Sequence, residues 1–244
     1  MNLVIDIGNT FMKVFLFEGK KINFSQKIKS KQKNKIFSML NLEEKIENTI
    51  ISSVIELDSG FYGQLKSICN NLVILDEFTS LPIVNKYESA ATLGKDRIAA
   101  AVGAYTIFPE TNVLAIDAGT ALTFEFVSDK GAYLGGNISP GLSMRFKSLN
   151  HYTNKLPLIT KNENFPLLGK NTEEAIVAGV QNGIIFEIDR YVEELEKEFS
   201  DLKVILTGGD SFFFEHKLKS PIFAELFLTA IGLNTILEYN VKNI

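Results

Sequence analysis

Short apolar runs alternate with polar turns along the first third of the chain, and this pattern predicts β-strands. The predicted elements are three antiparallel strands at residues 3–7, 11–17 and 22–28, a strand at 49–55, an amphipathic helix at 60–70 and a strand at 72–75. The first three strands are separated by short polar turns, so the chain opens with a predicted antiparallel meander.

A second series of elements follows the same plan. It comprises a predicted Ala-rich helix at 96–108, strands at 112–116 and 120–127, a further strand after the turn at 128–131, helices at 172–199 and 221–239, and a strand at 204–206. Strands that come first and are followed by alternating helices and strands predict a mixed α/β fold with helices covering the sheets.

The first series contains a stretch in which every second residue is a lysine: Lys27, Lys29, Lys31, Lys33 and Lys35. A basic binding patch is one interpretation. A solvated edge strand or loop is the favoured one, because lysine on an edge strand discourages pairing with other chains.

The two series share a sequence echo. Residues 2–10 and 112–120 both run from an apolar strand into Asp-x-Gly and a small polar residue, and both continue into another strand. Two copies of one unit predict two similar lobes, residues 1–110 and 111–244, that face each other across a cleft. Clefts between lobes are common ligand sites.

Composition narrows the class of protein. Apolar residues make up 45% and charged residues 22%, which is ordinary for a globular protein. The net charge of −4 gives no general attraction to nucleic acid or anionic lipid. The sequence has neither an apolar stretch long enough to span a membrane nor a secretory signal. Cys69 is the only cysteine, which favours a reducing compartment, and we expect a cytoplasmic protein.

The first Asp-x-Gly segment has the chemistry of a phosphate site. Gly8 lets the backbone approach a ligand, and the side chains of Asn9 and Thr10 can donate hydrogen bonds to phosphate oxygens. Asp6 is placed to hold Mg²⁺ directly or through water, and Lys13 follows at a spacing that returns it to the same phosphates. The alternative is a hairpin whose polar side chains satisfy only the turn.

The repeat of this segment at residues 117–120 favours function over the simple hairpin. Two opposed loops of this kind can clamp the phosphates of ATP and a metal ion, an arrangement that serves phosphoryl transfer. Thr207-Gly208-Gly209 either lets a flat adenine lie against the backbone or forms an ordinary turn. Neither a P-loop nor a dinucleotide-binding fingerprint is present.

A base near an acceptor alcohol is the remaining requirement of a kinase. Asp96 at the start of the Ala-rich helix is a candidate for this base, or for the helix N-cap. Arg97 beside it can pair with an anionic group of a substrate. The glycine-rich segment 135–141 predicts either a loop shaped against a ligand or an ordinary connection. These residues alone predict a small-molecule kinase.

In their order and spacing, eight motifs resemble those of the type III pantothenate kinases. They are residues 6–10, 94–97, 117–121, 135–141, 156–157, 169–172, 207–209 and 232–233. The resemblance covers nearly the whole chain. It implies two ribonuclease H-like lobes, as in the superfamily of actin-like ATPases, heat-shock chaperones, and acetate and sugar kinases.

The resemblance also implies an activity, the transfer of the γ-phosphoryl group of ATP to the primary hydroxyl of pantothenate, which is the first step of coenzyme A biosynthesis. Mg²⁺ would accompany ATP, K⁺ or NH₄⁺ would bind at Asp117, and the enzyme would be a homodimer with its active sites at the subunit interface. ATP and pantothenate would be the partners, with no nucleic acid and no membrane.

The implied residue roles follow the matched motifs. The ATP-binding residues would be Asp6, Ile7, Gly8, Asn9, Thr10, Phe11, Met12, Lys13 and Thr120. The pantothenate-binding residues would be Tyr87, Gly94, Lys95, Asp96, Arg97 and Thr172, with Asp96 as the catalytic base.

Two alternatives stay open at this point. The same family contains proteins described as transcription accessory factors, and such a regulator would keep the nucleotide loops without needing an acceptor base. Asp96, Arg97 and the acidic net charge favour the enzyme. A kinase for another small alcohol, such as a sugar, is the other alternative, although sugar kinases of this superfamily are generally much longer.

Overall fold

A computed structural model describes residues 1–40 and 45–242. Its strands are β1 (Asn2–Ile7), β2 (Phe11–Glu18), β3 (Lys21–Lys29), β4 (Asn48–Ser53), β5 (Asn71–Ile74), β6 (Val84–Asn85), β7 (Val113–Ala118), β8 (Ala121–Val127), β9 (Ala132–Pro140), β10 (Lys203–Thr207) and β11 (Phe223–Ala224). Its α-helices are α1 (Ile36–Met39), α2 (Ser59–Ile68), α3 (Lys95–Ile107), α4 (Leu142–His151), α5 (Thr172–Glu198), α6 (Ser211–Glu215) and α7 (Leu228–Val241). Short 3₁₀ helices lie at Ser30–Lys35 and Ala90–Thr92.

The chain divides into two units. The first unit contains Met1–Ile107 and Leu228–Ile244, and the second contains Phe108–Phe227. The predicted division between residues 110 and 111 lies close to the first of these boundaries. The prediction and the structure differ at the C-terminus: the prediction placed the last helix in the second lobe, whereas α7 belongs to the first unit.

The sheet of the first unit has the strand order β3-β2-β1-β4-β5. Strands β1, β2 and β3 are antiparallel neighbours, as the predicted meander requires, and β4 and β5 continue the sheet in parallel with β1. Alternate side chains of β2, such as Met12 and Val14, are buried in a core with Phe61 and Leu65 of α2. The lysines of β3, among them Lys27 and Lys29, lie on an exposed edge strand, which is the position that the favoured interpretation gives them.

A row of asparagines ties α7 to the opposite face of this sheet. Asn48 Nδ2 donates to Asn2 Oδ1 (2.9 Å) and Asn71 Nδ2 donates to Asn48 Oδ1 (2.8 Å), across three neighbouring strands. Asn2 Nδ2 in turn donates to Asn234 Oδ1 of α7 (3.0 Å), and Asn234 Nδ2 donates to the Gly19 carbonyl (3.1 Å). These paired amides satisfy polar groups that burial would otherwise leave costly.

Helices α3 and α7 make backbone contact through two glycines. A Cβ atom on Gly232 would lie 1.8 Å from the Ala99 carbonyl oxygen, and one on Gly103 would lie 2.3 Å from the Leu228 carbonyl oxygen. Side chains at these positions would separate the helices. This close packing explains why the last helix joins the first unit.

The predicted helix at 221–239 is wrong over its first seven residues. Phe223 and Ala224 form β11, which pairs in parallel with β10, and the helix begins only at Leu228. The Phe223 ring lies 5.6 Å from that of Phe108, between ring centroids. Pairing with a neighbouring strand therefore overrides the helical pattern of this segment.

The second unit repeats the strand order of the first. Its strands run β11-β10-β7-β8-β9, with β7, β8 and β9 antiparallel and with β10 and β11 parallel to β7. Three antiparallel strands followed by two parallel ones are thus found in both units. Helix α5 buries Ile176, Val180, Ile184 and Ile188 in the core of this unit, as its predicted helical register requires.

The glycine-rich segment 135–141 is a strand as far as Pro140, and neither the predicted ligand loop nor an ordinary connection; Gly141 is the N-cap of the next helix. Gly135 and Gly136 lie in β9 opposite Phe126 and Glu125 of β8, and the strand continues to Pro140. A Cβ atom on Gly136 would lie 1.6 Å from the Phe124 carbonyl oxygen, so glycine permits the close approach of two strands. The helix α4 that follows was not predicted.

Among residues 1–40 and 45–242, no helix is both long enough and apolar enough to cross a membrane.

Candidate active site

The first Asp-Gly turn, residues 6–11, connects β1 to β2. The Gly8 N–H donates to the Phe11 carbonyl (2.9 Å), which closes the turn. The Ser30 hydroxyl donates to the Gly8 carbonyl (2.7 Å), and the Ser30 N–H donates to the Thr10 carbonyl (3.0 Å). The turn is therefore held from within and from the end of β3.

The segment from Asp6 to Lys13 presents a mixture of exposed and buried groups. Ile7 and Met12 are fully buried in the core, so only their main-chain atoms are left to face a ligand. The exposed side chains are those of Asn9, Thr10, Phe11 and Lys13. Hydroxyl, amide and ammonium donors thus line the turn, as a phosphate-binding segment needs.

Asp6 lies at the carboxyl end of β1, directly opposite Lys13 of β2 and Ser52 of β4. Burial raises the pKa of the Asp6 carboxyl, the nearby Lys13 ammonium lowers it, the Asp96 carboxylate raises it, and the Ser52 hydroxyl lowers it; the net direction is upward. Above this raised pKa the ionised carboxylate is less favourable in the folded protein than in the unfolded chain. A cation bound against Asp6 offsets that cost.

Asp96 lies in the first turn of α3 and not at the predicted N-cap. The helix begins at Lys95, and the Gly94 carbonyl already accepts the Ile98 N–H (3.1 Å), so Gly94 takes the N-cap place. The Asp96 carboxylate is exposed, and its Oδ1 accepts the Arg97 N–H (2.9 Å). A negative charge at this end of a helix is stabilised by the free N–H groups and the helix dipole.

The predicted pantothenate residues of the first unit come together around this helix start. The Arg97 side chain is buried, and its guanidinium carbon lies 5.5 Å from the centroid of the Tyr87 ring. Lys95 Nζ donates to the Ser53 carbonyl (3.2 Å), which follows Ser52 in β4. A Cβ atom on Gly94 would lie 2.6 Å from Asp96 Oδ1, so glycine leaves the carboxylate its space.

Two residues of this cluster were not predicted from the sequence, Ser30 and Ser52. Ser52 lies at the carboxyl end of β4, beside the strand that carries Asp6. The carboxyl ends of parallel strands meet at one edge of a sheet, so the pairing of β4 with β1 would have identified it. Ser30 follows β3 and has no motif of its own.

The second Asp-Gly turn, residues 117–121, connects β7 to β8 in the second unit. The Gly119 N–H donates to the Ala121 carbonyl (3.0 Å), just as Gly8 donates to Phe11. In both turns the acceptor is the first residue of the following strand, but the second turn is one residue shorter. Thr120 is exposed, and its main-chain carbonyl accepts the Gly141 N–H (3.1 Å). This hydrogen bond holds the backbone of Thr120 against the residue that precedes α4.

Asp117 lies beside a second glycine turn. It stands opposite Thr207 of β10, and a Cβ atom on Gly208 would lie 2.3 Å from Asp117 Oδ1 and 2.6 Å from the Ala118 carbonyl oxygen. Gly208 has a φ of +96°, a region that glycine adopts without strain. The Asp117 carboxylate and the Ala118 carbonyl oxygen thus lie close together, and oxygen donors of this kind fit a monovalent cation.

We also searched for groups of side chains that could together hold a metal ion. Within the described ranges 1–40 and 45–242, no group of three or more His, Cys, Asp or Glu side chains is arranged to hold a metal ion.

Thr172 is the first residue of α5 and is exposed. Asn171 caps this helix, since its side chain accepts the Glu174 N–H (2.9 Å), and the Glu174 carboxylate accepts the Lys170 N–H (2.8 Å). A Cβ atom on Gly169 would lie 2.2 Å from the Ala175 nitrogen, so the chain enters the helix through a close turn. The position of Thr172 is therefore well fixed.

The sequence model of type III pantothenate kinases matches residues 2–194. A type III pantothenate kinase of Bacteroides fragilis is 45% identical to this chain over 240 residues, and the alignment covers 98% of each protein. The chain belongs to the type III pantothenate kinase family. A further member, from Phocaeicola vulgatus, is 44% identical over 243 residues, which cover 99% of this chain and 100% of that relative.

Solved structures of similar fold support the two-lobed architecture. A Campylobacter jejuni protein proposed to be a Baf family transcriptional activator superposes with a TM-score of 0.63 at 26% identity, covering 98% of this chain and 99% of its own. A Listeria monocytogenes protein proposed to be an N-acetylmannosamine kinase superposes with a TM-score of 0.56 at 12% identity, with 99% of both chains covered. The predicted fold class, an α/β protein built from two similar lobes, is confirmed.

Membership in the type III pantothenate kinase family confirms the prediction of an ATP-dependent kinase that the eight sequence motifs supported. The roles of single residues remain predictions. The first unit brings Asp6, Lys13, Asp96 and Arg97 into one cluster, and the second unit brings Asp117 to Gly208.

Proposed function

We propose that this protein transfers the γ-phosphoryl group of ATP to the primary hydroxyl of pantothenate, giving 4′-phosphopantothenate for coenzyme A biosynthesis. The observation that carries the proposal is the hydrogen bond from Lys95 Nζ to the Ser53 carbonyl (3.2 Å), which ties the helix start that carries Asp96 to the end of β4, where Ser52 stands opposite Asp6. Family membership over nearly the full chain supplies the substrate class.

Asp96 is the catalytic base in this proposal. Its exposed carboxylate accepts the proton of the pantothenate hydroxyl as the oxygen attacks the γ-phosphorus. Arg97 supplies positive charge for the pantothenate carboxylate, while Tyr87, Gly94 and Lys95 shape the acceptor pocket around it. Thr172 adds a hydroxyl group from α5.

The two Asp-Gly turns bind the nucleotide. The N–H groups and side chains of residues 8–10, with Lys13, hold phosphate oxygens in the first turn, and Thr120 does so in the second. An ATP-dependent kinase of this superfamily uses a divalent metal with ATP. Asp6 would hold Mg²⁺, directly or through water, and this ion would neutralise phosphate charge during transfer. The partly buried Asp6, which stands opposite Lys13, fits that role.

Asp117 would hold a monovalent cation, K⁺ or NH₄⁺. A single carboxylate with a neighbouring main-chain carbonyl, that of Ala118, suits a large, weakly charged ion that exchanges its hydration shell for oxygen ligands. Because Gly208 has no side chain, the Asp117 carboxylate can lie against it. The cation would balance the charge of Asp117 next to the nucleotide-binding Thr120.

An ADP-release assay tests substrate, reaction and cation together. We expect the purified protein with ATP and Mg²⁺ to release ADP only when pantothenate is added, and faster in K⁺ than in Na⁺. Asp117→Ala is expected to lower turnover in K⁺ by at least roughly tenfold and to abolish the difference between the two salts. Glu196→Ala, which removes an exposed carboxylate of α5, is the matched control and should keep the wild-type response.

Two outcomes of this assay contradict parts of the proposal. An unchanged salt-activation curve in Asp117→Ala removes the cation site. A folded protein that binds ATP but releases no ADP in either salt favours the regulatory alternative or another acceptor.

A homodimer is part of the proposal. The outer face of α5 carries the small residues Ala175, Gly179 and Gly183 and then Phe186, whose side chain is 53% exposed. Small residues in this spacing let a second helix approach closely, and an exposed phenylalanine gains from being covered. Light scattering should give twice the chain mass, and Phe186→Glu should give the single-chain mass. A wild-type protein with the mass of one chain contradicts the dimer.

The cytoplasm is the proposed location. ATP is the phosphoryl donor, and the single thiol, Cys69, is unpaired by disulfide, in keeping with a reducing compartment.

A further inference from the structure

Four side chains form a row across the sheet of the first unit, at the edge where the first Asp-Gly turn lies. Ser52 of β4 stands opposite Asp6 of β1, Asp6 stands opposite Lys13 of β2, and Lys13 stands opposite Lys27 of β3. Residues directly opposite each other on neighbouring strands project from the same face. Lys27 therefore continues the line of functional groups by one strand beyond Lys13.

Lys27 is also held close to the turn itself. Its Nζ lies 4.3 Å from the centroid of the Phe11 ring, and Phe11 is the residue whose carbonyl closes the turn. The end of β3 is fastened to the same turn by the two hydrogen bonds of Ser30 with Gly8 and Thr10. The ammonium group of Lys27 is thus positioned by contacts with the phosphate-binding segment.

The charge around Lys27 is one-sided. Residues 19–42 contain seven lysines and no Asp or Glu, in a chain whose net charge is −4. Lys33 pairs with Asp58 (3.3 Å), whereas Lys27, Lys29 and Lys31 have no carboxylate partner among residues 1–40 and 45–242. Like charges directly opposite on two strands destabilise a sheet. An anion bound between Lys13 and Lys27 removes that repulsion.

We propose that Lys13 and Lys27 together form a two-lysine site for the polyphosphate chain of the nucleotide. The inference rests on the proposed function in taking ATP as the anion. Lys13 belongs to the phosphate-binding segment that the sequence motif marks, and Lys27 adds a second ammonium from a different strand. Two ammonium groups recognise charge more than shape, so this site selects for the number of phosphates.

Nucleotide titration without pantothenate tests this site. Lys27→Gln is expected to weaken ATP binding by roughly tenfold, as loss of one charge-assisted contact does, and to weaken ADP binding in the same direction. AMP binding should change little. Lys27→Arg keeps the charge and should restore most of the ATP affinity. Lys21→Gln, at the other end of the same exposed strand, is the matched control and should bind ATP like the wild type.

Three results would overturn the two-lysine site. They are an ATP affinity of Lys27→Gln equal to that of the wild type, an equal loss in Lys21→Gln, and an equal loss for AMP and ATP. The titration contains no acceptor, so it is independent of the reaction. A wild type that binds ATP but shows no pantothenate-dependent ADP release overturns the proposed function and leaves the two-lysine site standing.

Discussion

Asp96→Asn is expected to lower kcat by roughly 10²–10⁴-fold, the range that a positioned general base contributes. The amide cannot take the hydroxyl proton, yet it has the size of the carboxylate and can still accept the Arg97 N–H at the start of α3. The fold and the affinity for ATP should therefore stay close to those of the wild type. Steady-state turnover, ATP titration and thermal unfolding measure the three quantities.

Asp58→Asn is the matched control for this substitution. Asp58 is an exposed carboxylate of the first unit, and it caps α2 by accepting the Phe61 N–H (2.9 Å). Asparagine caps helices as well as aspartate does, and the exposed ion pair of Asp58 with Lys33 contributes little, so turnover should be kept and stability should change little. Near-normal turnover of Asp96→Asn would exclude Asp96 as the base.

Gly208→Ala is expected to abolish pantothenate phosphorylation and to lower the free energy of unfolding by about 3 kcal/mol, through left-handed strain and a direct clash. The new Cβ would lie 2.3 Å from Asp117 Oδ1 and 2.6 Å from the Ala118 carbonyl oxygen, so the carboxylate and the backbone would both have to move. Urea unfolding and the ADP-release assay measure the two effects.

Gly209→Ala provides the comparison one residue along. A Cβ atom there meets no atom within 4 Å, and Gly209 has no positive φ. We expect a change in stability of no more than about 0.5 kcal/mol, as at an ordinary surface position. If both variants behave alike, the crowding of Asp117 by Gly208 has no consequence for this site.

Local patterns in the sequence predicted much of the fold. Short apolar runs between polar turns identify the strands. The repeat of Asp-x-Gly at residues 6–8 and 117–119 corresponds to two sheets with the same strand order. These features depend on neighbours along the chain or on short spacings, which a single sequence records.

The features that were missed depend on contacts between distant segments. Residues 135–140 look like a loop because they are rich in glycine, and only the approach of β9 to β8 makes them a strand. Phe223 looks helical until β11 pairs with β10. The place of Lys27 beside Lys13 follows from the register of β3 on β2, which the sequence does not specify.

The return of α7 to the first unit has a consequence for synthesis on the ribosome. Residues 108–227 emerge as one continuous stretch, so the second unit can fold while the chain is still growing. The first unit cannot be completed in this way, because Asn2 of β1 bonds to Asn234 of α7, which is made 232 residues later. A nascent chain therefore holds the five-stranded sheet of the first unit without its covering helix until residues 228–241 have been made.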